Sequence, residues 1–298
     1  MRIRRLLFLA ALPAWIIVCA AAEPAVVAVE NGRFRAELVD PGVPADVRAT
    51  GCRFLRAGWL RSLRLNGGAR DVFKCRTVHP RLPAFGFAFE FFPVPELAVD
   101  AQGYVTRLNF GVGVVRQEPG KRFETAPVEL FPWRSSAVRT DGGLTLIAVQ
   151  RSRDYDGYAY ELTVKTSIAK DSNMIAFELE LCNIGQKRIE SELYAHPFFD
   201  APAGFAAGWY RVGDSAPAPL AGPPAVLSGA NQLAAGRFSD GCGEITIRTA
   251  PAFDRAEFWR DDRDCFALEP FWKVSVAPGE RQRWTCGLTV LPGPAQFR

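Results

Sequence analysis

Two runs of alternating apolar and polar residues, 158–168 and 175–181, flank the tripeptide Asp171-Ser172-Asn173. A period of two places successive side chains on opposite faces, which is typical of a β-strand with one buried and one solvated face. Asp, Ser and Asn favour a turn because their short side chains hydrogen-bond to nearby backbone groups. The pattern therefore predicts an antiparallel hairpin. Its apolar positions are Tyr158, Tyr160, Leu162, Val164, Ile168, Ile175, Phe177, Leu179 and Leu181.

The rest of the chain carries further short strand patterns, whereas helical periodicity is scarce. The segment 201–235 is rich in Ala, Gly and Pro, and it predicts a long irregular connection. Many short strands separated by turn residues favour an all-β fold, either a large antiparallel sandwich or a barrel, in one domain of residues 23–298. The predicted strands are residues 32–38, 105–116, 145–149, 244–249 and 284–291.

Composition and charge exclude several classes of protein. Of the 298 residues, 48% are hydrophobic and 23% are charged, which is typical of a globular protein and not of a disordered one. The net charge of +4 falls to +1 without Arg2, Arg4 and Arg5. A nucleic-acid-binding protein would carry a clustered excess of Lys and Arg, so no nucleic-acid partner is expected.

The first 22 residues resemble a secretory signal peptide. Three arginines precede an apolar run at residues 6–18, and small residues at 20–22 favour cleavage after Ala22. An uncleaved membrane anchor is the alternative, although the run is shorter than the ~20 residues of a membrane span. A lipoprotein site at Cys19 is a weaker alternative, because Val18 is large. The sequence predicts an exported protein, periplasmic or extracellular, with no membrane contact after cleavage.

Six cysteines follow the signal segment, and none forms a C-x-x-C pair. A zinc site is therefore not indicated. An oxidising compartment permits up to three disulfides, and buried free thiols are the alternative. The six are Cys52, Cys75, Cys182, Cys242, Cys265 and Cys286.

Two side chains that can take part in acid–base chemistry lie in apolar surroundings. His196 is in Tyr194-Ala195-His196-Pro197-Phe198-Phe199-Asp200, and Glu269 is in an apolar run that ends at Trp272. A carboxylate seldom lies in such a run without a partner. Each also has a structural interpretation. His196 is then a half-buried histidine that serves packing, and Glu269 is a strand residue that points outward.

The order of four short motifs resembles that of the galactose mutarotase-like superfamily, which includes the aldose 1-epimerases. The N-terminal half carries looser matches, typical of a secreted and poorly characterised branch. These are Gly51-Cys52-Arg53-Phe54, Gly58-Trp59-Leu60 and Phe89-Glu90-Phe91. The four motifs, within residues 158–291, are Asn183 with Gly185, His196-Pro197-Phe198-Phe199, Glu269-Pro270 and Pro278-Gly279-Glu280.

The resemblance implies a β-supersandwich with an open sugar-binding cleft, and it implies an aldose 1-epimerase activity without cofactor or metal. The partner is then a small sugar or the end of a glycan. Glu269 matches the general base that takes the proton of the anomeric hydroxyl, and His196 matches the general acid that protonates the ring oxygen. The carboxylate would also favour the imidazolium form that an acid needs. The two groups are expected on opposite edges of a bound hexose, about one pyranose width apart.

Four further residues are candidates for substrate binding. The family carries an earlier His, often next to Gly-Gly, and this motif is missing here. His79 is the remaining histidine, and a surface loop is its structural alternative. Arg53 matches a cleft arginine that grips sugar hydroxyls or phosphate. Asp200 is a candidate through its place beside the His motif, and Trp272 belongs to a group of aromatics suited to stacking on a sugar. Burial of at least half of this group in the core is the alternative, because aromatic side chains dominate the free energy of burial. The others in that group are Phe199, Trp259 and Phe271.

Two other functions remain open. The missing His-Gly-Gly favours a carbohydrate-binding protein that has lost catalysis on the same fold. A polysaccharide lyase or hydrolase domain is the third possibility, for which Tyr194 is a candidate residue. Faster polarimetric relaxation of a pure anomer separates an epimerase from a binding protein.

Overall fold

The computed structural model describes residues 24–44, 51–66, 71–73, 75–79, 82–92, 94–121, 125–201, 205–206, 208–239, 242–261 and 264–292. The predicted signal peptide, residues 1–22, lies outside these ranges. No helix in the described ranges is long and apolar enough to cross a membrane.

The described chain folds into 24 strands, which are numbered here in chain order. They are β1 Val26–Glu30, β2 Phe34–Val39, β3 Leu60–Leu65, β4 Cys75–His79, β5 Leu82–Phe85, β6 Phe87–Phe91, β7 Glu96–Val99, β8 Val105–Asn109, β9 Gly113–Gln117, β10 Thr125–Leu130, β11 Trp133–Thr140, β12 Gly143–Arg151, β13 Tyr160–Ile168, β14 Met174–Asn183, β15 Ile189–Pro197, β16 Phe199–Asp200, β17 Trp209–Val212, β18 Ala218–Pro219, β19 Ala225–Ser228, β20 Gln232–Ser239, β21 Cys242–Ala250, β22 Arg255–Arg260, β23 Cys265–Val276 and β24 Arg281–Pro292.

Two nine-stranded antiparallel sheets form the body of the fold. The first has the order β1-β2-β3-β6-β15-β23-β22-β19, with β16 also paired to β23, and the second has the order β11-β12-β13-β14-β24-β21-β20-β17-β18. Smaller sheets combine β10-β9-β8-β7 and β4-β5. Neighbouring strands of a sheet are often distant in sequence; in the first sheet, for example, β15 lies between β6 and β23. The topology therefore brings side chains from three remote parts of the chain together.

The two large sheets pack face to face. Phe87 of the first sheet stacks on Phe177 of the second, with ring centroids 5.1 Å apart, and Phe91 meets Trp284 edge to face. These rings belong to one continuous cluster of buried residues drawn from both sheets. Of the two architectures that the sequence left open, the fold is therefore the antiparallel sandwich. Burial of these large aromatics contributes to the stability of the sandwich.

The predicted hairpin is confirmed: β13 and β14 pair antiparallel from Tyr160 opposite Asn183 to Ile168 opposite Ile175. The segment 105–116 was predicted as one strand, which is wrong. It forms β8 and β9 around a tight turn in which Gly111 has φ 79°. A Cβ there would lie 2.5 Å from Leu55 Cγ, so packing and backbone geometry both require glycine.

The segment 201–235 is less irregular than predicted, because β17, β18, β19 and the first residues of β20 lie within it. The three complete strands are only two to four residues long. Strands this short carry too few alternating positions to produce a periodic signal.

Two of the family-like motifs hold strand ends together. The Asn183 side chain donates to the carbonyls of Val276 and Lys187 and accepts from the Gly185 amide. Gly279 donates its amide to the Asn183 carbonyl at 2.9 Å. The first and last motifs therefore stabilise the junction of β14 and β23 with the start of β24.

Four of the six cysteines that follow residue 22, namely Cys52, Cys182, Cys265 and Cys286, are buried free thiols. Three disulfides therefore cannot form, and the alternative interpretation of the cysteines holds for these four. Burial raises the pKa of Cys52 to about 11. A thiol in such surroundings stays protonated and unreactive.

Candidate active site

Strand parity places the candidate residues on one face of the first sheet. In β15, Leu193 and Ala195 point into the core between the sheets, so Tyr194 and His196 point to the opposite face. Phe266 and Leu268 of β23 likewise point inward, which leaves Glu269 on the opposite face. We call this outer surface of β6, β15, β23 and β22 the site face.

His196 and Glu269 meet on the site face. The β15–β23 register pairs Leu193 with Trp272 and Tyr194 with Phe271, and its continuation sets His196 opposite Glu269. The Nε2 atom of His196 lies 3.1 Å from Oε1 of Glu269. The side chains are 5% and 6% exposed, so the contact is shielded from water.

Aromatic rings surround this pair. Phe198 stacks on the His196 ring at 4.0 Å between centroids, and Phe54 meets it edge to face at 5.5 Å. Trp259 of β22 also meets the imidazole edge to face, at 5.6 Å, and its indole N–H donates to Oε1 of Glu269. Trp259 is partly exposed, whereas Phe54 and Phe198 are buried.

Burial favours the uncharged form of both groups. It raises the pKa of Glu269 to about 8, against the lowering effects of the Trp259 hydrogen bond and the Arg53 charge. It also lowers the pKa of His196 well below 6.5, and the nearby Arg53 lowers it further. Burial and the Arg53 charge therefore act against the imidazolium form that the resemblance implies. Desolvation outweighs the attraction between the two charges.

Both pKa shifts favour a pair in which each group is uncharged, with the proton on the carboxyl group of Glu269. Moving that proton across 3.1 Å to His196 would create the ion pair with no change in total charge. Such a pair can accept a proton at one group and donate one from the other, as acid–base chemistry at two oxygen atoms requires.

A second polar network lies beside the pair. Arg53 donates through Nε to Oε2 of Glu90 at 2.6 Å and through Nη2 to the Tyr194 hydroxyl at 2.7 Å. Tyr194 in turn donates to the same Glu90 oxygen. The Arg53 guanidinium also lies over the Phe54 ring, 4.5 Å from its centroid. The structure thus places Arg53 next to the candidate pair, already bound to a carboxylate.

A shallow groove opens from this network. It is open to solvent, and Arg53 and Glu90 line one part of it. Arg107, Asn109 and Gln117, from β8 and β9, line another part. The groove is therefore polar where it borders the site face.

The other predicted binding residues differ in their placement. Asp200 is buried in β16 opposite Cys265, on the same side of the sheet as His196. His79 lies at the end of β4, outside the two large sheets, and its side chain lies outside the described part of the structure.

The prediction that Trp272 contacts a ligand at this face is wrong. Trp272 points into the core between the sheets, where it is 1% exposed and donates to the Pro251 carbonyl. It lies an odd number of residues from Glu269, and the alternation of a strand therefore turns it the other way. Phe199 is likewise in the core, whereas Trp259 and Phe271 are not.

Sequence reasoning missed the part played by Glu90. It is 4% exposed between Phe89 and Phe91, which gives it the same signal as Glu269, a carboxylate inside an apolar run. That signal could have identified it. Within the described ranges, no group of three or more His, Cys, Asp or Glu side chains is arranged to hold a metal ion.

The site also differs from the expected open cleft. The two candidate catalytic groups touch directly, and they do not stand one pyranose width apart. The closed arrangement follows from adjacent strands, because residues directly opposite each other have Cβ atoms ~5 Å apart and these two side chains fill that gap. A sugar can pass between the two groups only if their side chains separate.

Comparison with known proteins supports the fold and does not establish an activity. The sequence matches no family model and no curated protein. Among solved structures, the Slr1438 protein of Synechocystis sp. PCC 6803 superposes with a TM-score of 0.62 at 14% identity, over 94% of this chain and 100% of that one. A galactose mutarotase-like protein of Clostridium acetobutylicum gives a TM-score of 0.58 at 11% identity, over 90% and 95%.

A third similar structure is a putative aldose 1-epimerase of Escherichia coli K12. It superposes with a TM-score of 0.56 at 15% identity, over 90% of this chain and 99% of that one. Coverage is nearly complete on both sides, so the likeness concerns the whole sandwich. The chain has the galactose mutarotase-like fold.

Proposed function

We propose that this protein is an exported aldose 1-epimerase-like enzyme that interconverts the anomers of a hexose or hexose derivative. One observation carries the proposal: a buried imidazole and a buried carboxyl group, from neighbouring strands, lie 3.1 Å apart. Burial favours the uncharged form of both groups. The fold supports it, since some similar structures bear epimerase or mutarotase names.

The reaction uses both groups once in each direction. Glu269 takes the proton of the anomeric hydroxyl while His196 gives a proton to the ring oxygen, and the bond between that oxygen and C1 breaks. The open-chain aldehyde forms, and rotation about C1–C2 presents its other face. Ring closure reverses both proton transfers. Each group in its correct protonation state contributes roughly 10²–10⁴ in rate.

The proton balance agrees with the resting pair. Ring opening starts from ionised Glu269 and protonated His196, and it ends with neutral Glu269 and neutral His196. The second state is the one that burial favours in the unliganded site. The two states differ by one proton transferred within the pair, so no exchange with solvent is needed between turnovers. The side chains must separate to admit the sugar.

Polarimetry of purified protein tests the proposal. Wild-type protein is expected to speed the relaxation of pure α-glucose or α-galactose, and Glu269→Gln is expected to lower the rate by at least 10². The matched control is Glu257→Gln, which removes a carboxyl from the same face; its side chain is 39% exposed and pairs with Arg255. A Glu269→Gln variant that relaxes sugars at the wild-type rate would falsify the assignment.

Export has its own test, which does not depend on catalysis. Expression of the full chain in a Gram-negative host, followed by fractionation and mass spectrometry, is expected to give a periplasmic protein that begins at Glu23. Recovery of uncleaved protein in the membrane fraction contradicts the proposed processing.

A sugar-binding protein without catalysis is the second candidate, and the closed geometry favours it. The direct contact at 3.1 Å leaves no space between the two groups for a pyranose ring. A sugar could instead bind in the groove that Arg53 and Glu90 border. Saturable sugar binding measured by calorimetry, with no faster relaxation in the polarimeter, identifies this function.

A further inference from the structure

Trp259 contacts both members of the candidate pair. Its indole N–H donates to Oε1 of Glu269, the oxygen that lies 3.1 Å from His196 Nε2. Its ring meets the imidazole edge to face, with an interplanar angle of 76°. It also meets the Phe198 ring edge to face, and Phe198 in turn stacks on the imidazole. One side chain thus fixes the carboxyl group and borders the imidazole.

The backbone holds Trp259 firmly in this place. Trp259 is in β22, where it lies opposite Ala267 of β23, two residues before Glu269. Ala256 and Phe258 of the same strand are buried in the core, so the register of β22 cannot slip without exposing them. The indole is therefore aimed at Glu269 by the same packing that builds the sandwich.

The charged groups around Glu269 have opposing effects on the ionisation of its carboxyl group. Arg53, from the segment before β3, favours the ionised carboxylate, whereas Glu90 of β6 and Glu257 of β22 oppose it. His196 of β15 is uncharged, and the buried Tyr194 hydroxyl donates to Glu90. Arg53 is itself paired with Glu90, so much of its charge is compensated. The indole N–H is a donor aimed directly at the carboxyl oxygen.

We propose that Trp259 is a positioning residue: its indole N–H holds the Glu269 carboxyl group against His196 and supplies a hydrogen bond that strengthens as that carboxyl ionises. In the proposed epimerase, on which this role rests, the bond orients the base and stabilises it at the moment before it takes a proton. A donor to a charged group contributes more than a donor to a neutral one. Trp259 itself exchanges no proton with the sugar.

The test is Trp259→Phe, which keeps an aromatic ring and removes the donor. Without the donor, ionised Glu269 is less stable, so the pKa of this carboxyl is expected to rise by roughly one to two pH units. Denaturant unfolding at pH 6 and pH 9.5 measures this in the intact protein. At pH 6, Glu269 stays protonated in both folded proteins. At pH 9.5 the variant is expected to lose further stability, because its folded state still binds the proton that the unfolded chain has released.

Glu269→Gln provides the matched background. In that background the effect of Trp259→Phe is expected to be the same at both pH values, because no carboxyl remains to ionise. Trp209→Phe, which alters a partly exposed tryptophan in β17 of the other sheet, is expected to show no difference between the two pH values. A Trp259→Phe effect that is independent of pH, or equally dependent on pH without Glu269, overturns the inference.

A wild-type measurement covers the case in which Trp259→Phe does not fold. In ¹⁵N-labelled protein, one tryptophan indole N–H resonance is expected to shift with an apparent pKa near 8, and Glu269→Gln is expected to abolish that shift. An indole spectrum without such a titration overturns the inference. These measurements need no turnover. Absence of sugar relaxation rejects the epimerase. The unfolding and indole measurements still decide whether Trp259 acts on Glu269.

Discussion

Replacing Glu269 with glutamine is expected to stabilise the folded protein near neutral pH. Folding raises the pKa of this carboxyl from 4.5 to about 8 through burial. Between these values the unfolded chain has released the proton and the folded chain has kept it, so the unfolded state binds fewer protons. The free energy of unfolding therefore falls as pH rises through this window. Glutamine has the same shape and does not ionise.

The magnitude follows from the pKa difference. A pH of 7 lies two and a half units above the pKa of this carboxyl in the unfolded chain. Each unit corresponds to 1.36 kcal/mol, so keeping the carboxyl protonated in the folded state lowers the free energy of unfolding by about 3 kcal/mol. At pH 5.5 the same argument leaves about 1 kcal/mol. The glutamine amide can still accept the Trp259 hydrogen bond and can donate towards His196. The gain in the variant is therefore expected to grow by about 2 to 3 kcal/mol between pH 5.5 and pH 7.5.

Urea denaturation of both proteins at several pH values provides the measurement. The difference in the free energy of unfolding should rise steadily from pH 5.5 and level off above pH 8. Glu178→Gln, which alters an exposed carboxylate in β14 of the other large sheet, serves as the control and is expected to show no such rise. A Glu269→Gln gain that does not change with pH, or a loss of stability at pH 7.5, refutes the argument that burial holds this carboxyl protonated.

Three further predictions concern the site and its support. The rate of sugar relaxation is expected to fall on both sides of a plateau: below the lowered pKa of His196, where both groups carry a proton, and above about pH 8, where the pair carries none; a pH–rate profile measures both limbs. Glu90→Leu is expected to cost about 3–5 kcal/mol in urea denaturation, because it leaves the buried Arg53 charge without its carboxylate. Gly111→Ala is expected to cost roughly 1–3 kcal/mol, since its φ of 79° is strained for alanine and the added methyl meets Leu55; a change below 0.5 kcal/mol contradicts that geometry.

Much of the fold could be predicted because strand alternation is local. The period of two in residues 158–181 is enough to identify β13, β14 and their register. The turn at Gly111 was not recognised, because the surrounding residues continue an apolar pattern and only the packing against Leu55 demands a chain reversal. The two-residue strands β16 and β18 carry no periodic signal at all.

The candidate site could be predicted in part. Resemblance and the unusual apolar setting singled out His196 and Glu269, and the structure brings them together. The sequence left open whether Trp272 stacks on a sugar or lies in the core, because an apolar run such as residues 265–272 does not show which of its members point into the core. The packing of Phe266 and Leu268 in the core between the sheets determines which residues of β23 point inward and which point to the site face.

By itself, the sequence determined the residue types, the alternation that makes them strands, and the presence of one carboxyl and one imidazole in apolar surroundings. Only the tertiary structure decided that these two groups touch, that burial favours the uncharged form of both, and that Trp259 binds the same carboxyl oxygen. His196 and Glu269 are 73 residues apart, and their distance depends on β15 lying next to β23. Strand order and desolvation are properties of the packed chain, because both depend on neighbours that no local pattern specifies.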